Sequence, residues 1–130
     1  MRKNTIESVQ TLFENILDGR KLKNIDKILS TFPEFTMFYN RAFQPDVMTN
    51  KKELRKYFTS LFKRCENFRY TIIGVAKIGN EESFLIYWTA EYNRVKQKDS
   101  VFIIESSHIS VKDGLIAFYK SISEKQSHKI

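Results

Sequence analysis

The residues best equipped for chemistry sit close together late in the chain. Glu105, Ser107 and His108 put a carboxylate, a hydroxyl and an imidazole within one short segment. A carboxylate or imidazole held near a reacting proton can act as a general base, with a neighbouring hydroxyl or ring assisting. Glu105 and His108 are therefore the catalytic candidates, with Ser107 or His108 assisting Glu105. A carboxylate beside the indole of Trp88 would be desolvated, which raises its proton affinity towards working pH. Thr71, Trp88, Glu105, Ser107 and Lys120 form a polar group expected on an otherwise apolar sheet face. With Tyr39, Tyr57 and Tyr92 they make up the candidate ligand-pocket set, although a tyrosine is more often ordinary core than ligand contact. Metal chemistry has little to work with. The chain holds one cysteine, Cys65, and two histidines, His108 and His128, so neither metal nor other cofactor is expected. Cys65 reads as a small buried core residue.

The elements that place these groups follow from periodicity. From Phe68 onwards the apolar residues alternate, and Tyr70–Ile78, Ser83–Tyr92, Val101–Lys112 and Leu115–Ile122 read as four successive strands. Gly79-Asn80 and Asp113-Gly114 are two-residue hairpin signals, and Asn93–Ser100 is a longer hairpin loop. These turns set the register. Val111 is expected opposite Ile116, Ile109 opposite Phe118, and Ser107 opposite Lys120. Val75 is expected opposite Phe84, Ile73 opposite Ile86, and Thr71 opposite Trp88. Across the long loop, Phe84 meets Ile109, Ile86 meets Ser107 and Trp88 meets Glu105.

One face then carries Ile73, Val75, Phe84, Ile86, Ala90, Ile103, Ile109, Val111, Ile116 and Phe118. Glu105 falls on this face, where an unpartnered carboxylate would cost several kcal/mol. Two readings stand: a diagonal ion pair with Lys120, or a wet cavity between sheet and helices. A one-residue slip or bulge would instead turn Ser106 and His108 inward.

The opposite face carries Tyr70, Ile72, Leu85, Tyr87, Phe102, Ile104, His108, Leu115 and Tyr119. A sheet apolar on both sides has both covered, and no helix remains for this one. A homodimer packed through the outer face is expected.

The first half is helical. Ile6, Val9, Leu12, Phe13, Ile16 and Leu17 form one stripe, with Asn4 and Glu7 as a capping pair and Gly19 as a stop. A second helix carries Leu22, Ile25, Ile28, Leu29 and Phe32, and Pro33 ends it. Glu34–Tyr39 is a short strand, and Pro45 confines any strand in Arg41–Met48 to a short or edge position. Asn50 with Glu53 opens a third helix, whose buried row is Leu54, Tyr57/Phe58, Leu61/Phe62 and Cys65. Residues 1–122 make one domain, and 123–130 a frayed polar tail.

The net charge is +7. Residues 1–65 hold 13 Lys/Arg against 7 Asp/Glu, and the remainder 9 against 8. The excess includes Lys51, Lys52, Arg55, Lys56, Lys63 and Arg64, which read as a solvated helix face. Without a nucleic-acid motif beside them, binding to DNA or RNA is not expected. No apolar stretch is long enough to span a bilayer, and the N-terminus lacks a signal-peptide core, so a cytoplasmic protein is expected.

The order helix, helix, short strand, polar segment, helix, then long-stranded meander resembles the NTF2-like superfamily, particularly its SnoaL-like branch. The last hairpin, Val111-Lys112-Asp113-Gly114-Leu115-Ile116, the Asn50–Phe62 stretch and the Phe84–Trp88 strand carry the resemblance. It implies an α+β cone, with three N-terminal helices on a strongly curved mixed or antiparallel sheet, a pocket at the open end, and frequent dimers. Ketosteroid-isomerase-like members need a carboxylate and tyrosine-type donors. Leu12, Phe13 and Ile16, and Phe35–Asn40, supply neither at the corresponding places. A module binding a small hydrophobic ligand ranks first. A lyase, isomerase or hydrolase using Glu105 ranks second, and an adaptor using the basic third helix ranks third.

Overall fold

The computed structural model describes residues 5–39, 48–79 and 82–129; the side chains of residue 39, 123–126 and 128–129 are outside that description. Helix α1, Ile6–Leu22, starts on Thr5 rather than on Asn4, which lies outside the described residues. The Thr5 side chain accepts from the Ser8 amide, and Ser8 returns the bond to the Thr5 amide, which closes a capping box. Val9, Phe13, Ile16 and Leu17 form its buried stripe. The left-handed stop is Lys23, with φ of 54°.

Gly19 is inside α1 and has a different role from the expected one. A Cβ there would sit 2.4 Å from Ile28 Cγ1 and 3.0 Å from the Asn24 carbonyl oxygen. The glycine is what lets helix α2, Ile25–Leu29, approach so closely. Helix α3, Lys51–Arg64, is capped as expected, the Asn50 side chain accepting from the Glu53 amide at 2.9 Å. Its Leu54 and Phe58 are buried.

Six strands make one sheet: β1 Phe35–Tyr39, β2 Met48–Asn50, β3 Cys65–Ile78, β4 Ser83–Arg94, β5 Asp99–Lys112 and β6 Leu115–Lys129. Their order is β2-β1-β6-β5-β4-β3. Only β1 with β6 is parallel; the other pairings are antiparallel. The short first strand thus joins the meander beside its last strand, and Thr36 Oγ1 donates to the Ile116 carbonyl at 3.0 Å. The helices cover one face, where Phe13, Phe32, Phe84, Ile86, Trp88 and Ile116 are almost wholly buried.

The central register is as the sequence implied: Phe84 opposite Ile109, Ile86 opposite Ser107 and Trp88 opposite Glu105. The flanking strands differ. The Gly79 turn is not a two-residue one, since Ile78 pairs with Ser83. An irregularity at Ile72/Gly74 then puts Ile72, not Thr71, opposite Trp88 and leaves Ile73 65% exposed.

In the last hairpin Val111 does pair with Ile116, across a turn whose Asp113 and Gly114 both have positive φ. A bulge follows at once, so Ser110 pairs with Phe118 and Ile109 with Tyr119. One extra residue reverses the facing of everything beyond it. Tyr119 and Ser121 therefore face the core in place of Phe118 and Lys120. A second irregularity separates Ser107/Ser121 from Ser106/Ser123. Finally, β6 stays paired with β5 as far as Ser100 opposite Lys129, so residues 123–129 are strand instead of a frayed tail.

Candidate functional site

Glu105 enters the core from the middle of β5, a strand whose alternate residues Val101, Ile103, Glu105, Ser107, Ile109 and Val111 are all buried. Period-two geometry forces this carboxylate inward, since its apolar neighbours two residues away on either side must be inside. What stabilises it there is a set of hydroxyls. Ser107 Oγ donates to Glu105 Oε2 at 2.6 Å, and the Tyr119 hydroxyl donates to the same oxygen at 3.0 Å. Ser121 Oγ donates to Oε1 at 3.1 Å. Trp88 Nε1 donates to Ser107 Oγ at 2.9 Å, which leaves the serine proton for the carboxylate. Three hydroxyl protons converge on the Glu105 carboxyl group, which accepts on both of its oxygens.

Aromatic rings hold these donors in place. Phe13 meets Trp88 edge-on with centroids 5.8 Å apart and lies nearly parallel to Tyr119 at 6.3 Å. Phe38 stacks on Tyr119 at 4.7 Å and contacts Tyr57 at 6.1 Å. Burial pushes the Tyr119 phenol well above its ordinary range, and the Glu105 charge pushes it further. Tyr119 therefore stays a proton donor across the physiological range.

Of the residues singled out from sequence, Trp88, Glu105 and Ser107 come together here, and Tyr57 and Tyr92 are half-buried against the same core. Thr71 is exposed, because the β3 irregularity moves it out of line with Trp88. Lys120 is also exposed and pairs with His108 across the other face, so it does not meet Glu105 as a diagonal neighbour. His108 lies on that outer face and does not assist Glu105. The side chain of Tyr39 lies outside the described residues. Sequence reasoning gives Tyr119 and Ser121 no site role, and no local signal marks them; the bulge after Ile116 is what turns them inward.

Two depressions bounded by described residues lie elsewhere. One of about 480 Å³ is on the solvent side of α3, between Lys52, Arg55, Lys56, Thr59, Ser60 and Lys63. One of about 200 Å³ is lined by Arg69, Tyr70, Thr71, Thr89, Ala90, Glu91 and Phe102. Among the described residues no cluster of three or more His, Cys, Asp or Glu could hold a metal ion, and no helix is long and apolar enough to cross a membrane.

These helices and this mixed sheet superpose on a group of solved structures. The fold is NTF2-like. A candidate isomerase from Bacillus subtilis superposes with a TM-score of 0.79 at 12% identity, over 98% of this chain and 90% of that one. An LEH-like epoxide hydrolase from M. tuberculosis gives 0.70 at 14% identity, over 89% and 82%. A computationally designed 17-OHP binder gives 0.73 at 8% identity, over 92% and 98%. At such identities the likeness is one of NTF2-like architecture. No family model and no curated protein matches the sequence.

Proposed function

We propose that this chain is a small-molecule binding protein that takes a hydrophobic ligand on the concave side of its sheet, with the Glu105 network as the polar anchor. One observation carries the reading. A largely apolar, aromatic interior holds a preorganised polar constellation, Glu105 with Ser107, Tyr119, Ser121 and Trp88. Binding sites of this type are mostly apolar with a few fixed polar groups that set orientation. The NTF2-like architecture accommodates such use, since one solved neighbour is a designed small-molecule binder. A carboxyl group whose two oxygens already accept from hydroxyls favours a ligand that presents one more hydrogen-bond donor. It is less suited to abstract a proton, and His108 stands on the opposite face, so binding is preferred over general-base catalysis.

The test is a thermal-shift and native mass spectrometry screen against hydrophobic metabolites, with and without a hydroxyl or amine. Donor-bearing ligands are expected to raise the melting temperature, and Glu105→Gln to weaken them about tenfold, the loss of one charge-assisted hydrogen bond. A screen with no bound species and no shift would defeat the proposal.

A further inference from the structure

The tertiary structure gathers the chain's charge at one end. Three segments meet there: the end of α1, the junction of α3 with β3, and the loop between β4 and β5. Lys23 Nζ donates to the Phe62 carbonyl at 3.3 Å, which ties the first to the second. The Val95 amide donates to the Arg64 carbonyl at 2.9 Å, and Cys65 pairs with Arg94, which ties the second to the third. Residues 20–23, 63–66 and 94–99 hold eight Lys/Arg against two acids, Glu66 and Asp99. That is +6 of the chain's +7, brought together from stretches far apart in sequence.

Little at this end neutralises the excess. Arg94 is ion-paired to Asp99, but Lys21, Lys23, Lys63, Arg64, Lys96 and Lys98 are exposed and join no ion pair among the described residues. The solvent side of α3 differs, since Arg55 is paired with Asp26 at 2.7 Å and Lys56 with Glu53 at 3.4 Å. A cation in the last turn of a helix complements the helix dipole, which accounts for Arg20, Lys21, Lys63 and Arg64 one at a time. It does not account for Lys96 and Lys98, which belong to a hairpin.

Apolar side chains stand among these charges. Leu22 is 67% exposed between Lys21 and Lys23, and Val95 is 45% exposed between Arg94 and Lys96. The crevice shared by Arg20, Lys23, Phe62 and Asn67 holds only about 20 Å³, room for a water and not for an organic ligand. A partner at this end therefore lies on the surface rather than in a pocket.

We propose that this end of the molecule docks on an anionic lipid bilayer, with its cations among the headgroups and Leu22 and Val95 at the acyl boundary. The combination of charge and aliphatic side chains chooses the occupant. Each Lys or Arg close to an anionic leaflet raises the partition about fivefold, and exposed aliphatic side chains add to it by entering the interface. A nucleic acid would use the cations but has no place for the two aliphatic chains. Stacking on its bases would need exposed aromatic rings. The rings here, Phe62 and Phe68, are partly or wholly buried, and Arg20 covers Phe68 at 4.1 Å. The docking is peripheral, as no helix among the described residues is long and apolar enough to cross a membrane. It is independent of any ligand on the concave side.

Co-sedimentation of the full chain with lipid vesicles tests this, with a labelled DNA duplex titrated in parallel. The vesicles are phosphatidylcholine alone or with about 30% phosphatidylserine, in about 50 mM and about 300 mM salt. Binding is expected to the serine-containing vesicles only, and to weaken at the higher salt. Lys96→Gln with Lys98→Gln should weaken it about 25-fold, two steps of about fivefold. Leu22→Ser with Val95→Ser leaves the charge unchanged and should weaken it about tenfold, the loss of two partly buried aliphatic chains. Lys52→Gln with Lys56→Gln makes the same charge change on α3 and should weaken it less than about threefold. All six positions are exposed, so the substitutions leave the fold intact. No binding to the anionic vesicles at low salt would overturn the proposal. So would an α3 variant as weak as the hairpin variant, or binding indifferent to the two aliphatic substitutions, since either means adhesion by overall charge. Tighter binding to the duplex than to vesicles, with the same dependence on Lys96 and Lys98, would overturn it in favour of nucleic acid.

Discussion

The two faces of the sheet are made by the same strands and differ by one residue of offset, yet they treat polar groups in opposite ways. On the inner face Glu105 is surrounded by donors from β5 and β6, with Trp88 on β4 orienting one of them. On the outer face, one step from Ser107, His108 has a buried nitrogen without a hydrogen-bond partner among the described residues. The inner donors all come from the same chain. The outer face is left with exposed apolar side chains and a ring atom that has no hydrogen-bond partner among the described residues. A buried polar group is tolerated when it is hydrogen-bonded and is costly when it is not, so the polar groups of the two faces contribute to the fold with opposite sign.

The largest expected effect comes from breaking the inner side. Glu105→Leu leaves the Ser107, Tyr119 and Ser121 donors facing hydrocarbon and should cost about 3 kcal/mol in chemical denaturation. A cost under about 0.5 kcal/mol would mean that the network contributes nothing to the fold. Tyr119→Phe removes one donor and is expected to cost about 2 kcal/mol near neutrality.

The same variant should change behaviour in alkali. The folded phenol keeps its proton above its ordinary 10.0, whereas the unfolded one loses it there. Wild-type stability therefore falls as pH rises beyond 10. Tyr119→Phe should flatten that fall without abolishing it, since Tyr70 is also raised, by burial and then by its bond to Asp18.

Smaller effects belong to the outer side. The folded His108 ring resists protonation below 6.5, while the unfolded one accepts it. Stability should therefore decline as pH falls from 6.5 until the folded ring also titrates. His108→Gln should remove this component of the acid melt, with a change smaller than either inner-face substitution. Smallest of all is Lys120→Ala, expected within about 0.5 kcal/mol as for an ordinary surface position. A loss as large as that of Tyr119→Phe would put the lysine back beside Glu105 and undo the distinction between the faces.

Much of the architecture could be read locally. Asn50 caps α3 because a side-chain oxygen three residues before a free amide is a local geometry. Asp113-Gly114 forms its turn because both residues tolerate positive φ. Closing the Asn93–Ser100 loop without a bulge then pairs β4 with β5 so that Glu105 lies beside Trp88, with Ser107 also on the inner face. To that extent the sequence by itself determined the fold, the central register and the core of the site.

What only the tertiary structure decided lies where one residue is added without any local signature. The bulge after Ile116 exchanges Phe118 and Lys120 for Tyr119 and Ser121, and the irregularity at Ile73 removes Thr71 from the interior. Neither is visible in propensity, because ordinary residues can occupy a bulge and no particular residue type marks it. Its energy depends on which side chains the partner strand and the helices then enclose. For β6 the difference is between a lysine beside a carboxylate in the core and two hydroxyls donating to it. Gly19 makes the same point in the helices. Its position in the sequence reads as a stop, but it is α2, packed 2.4 Å from where a Cβ would be, that requires it.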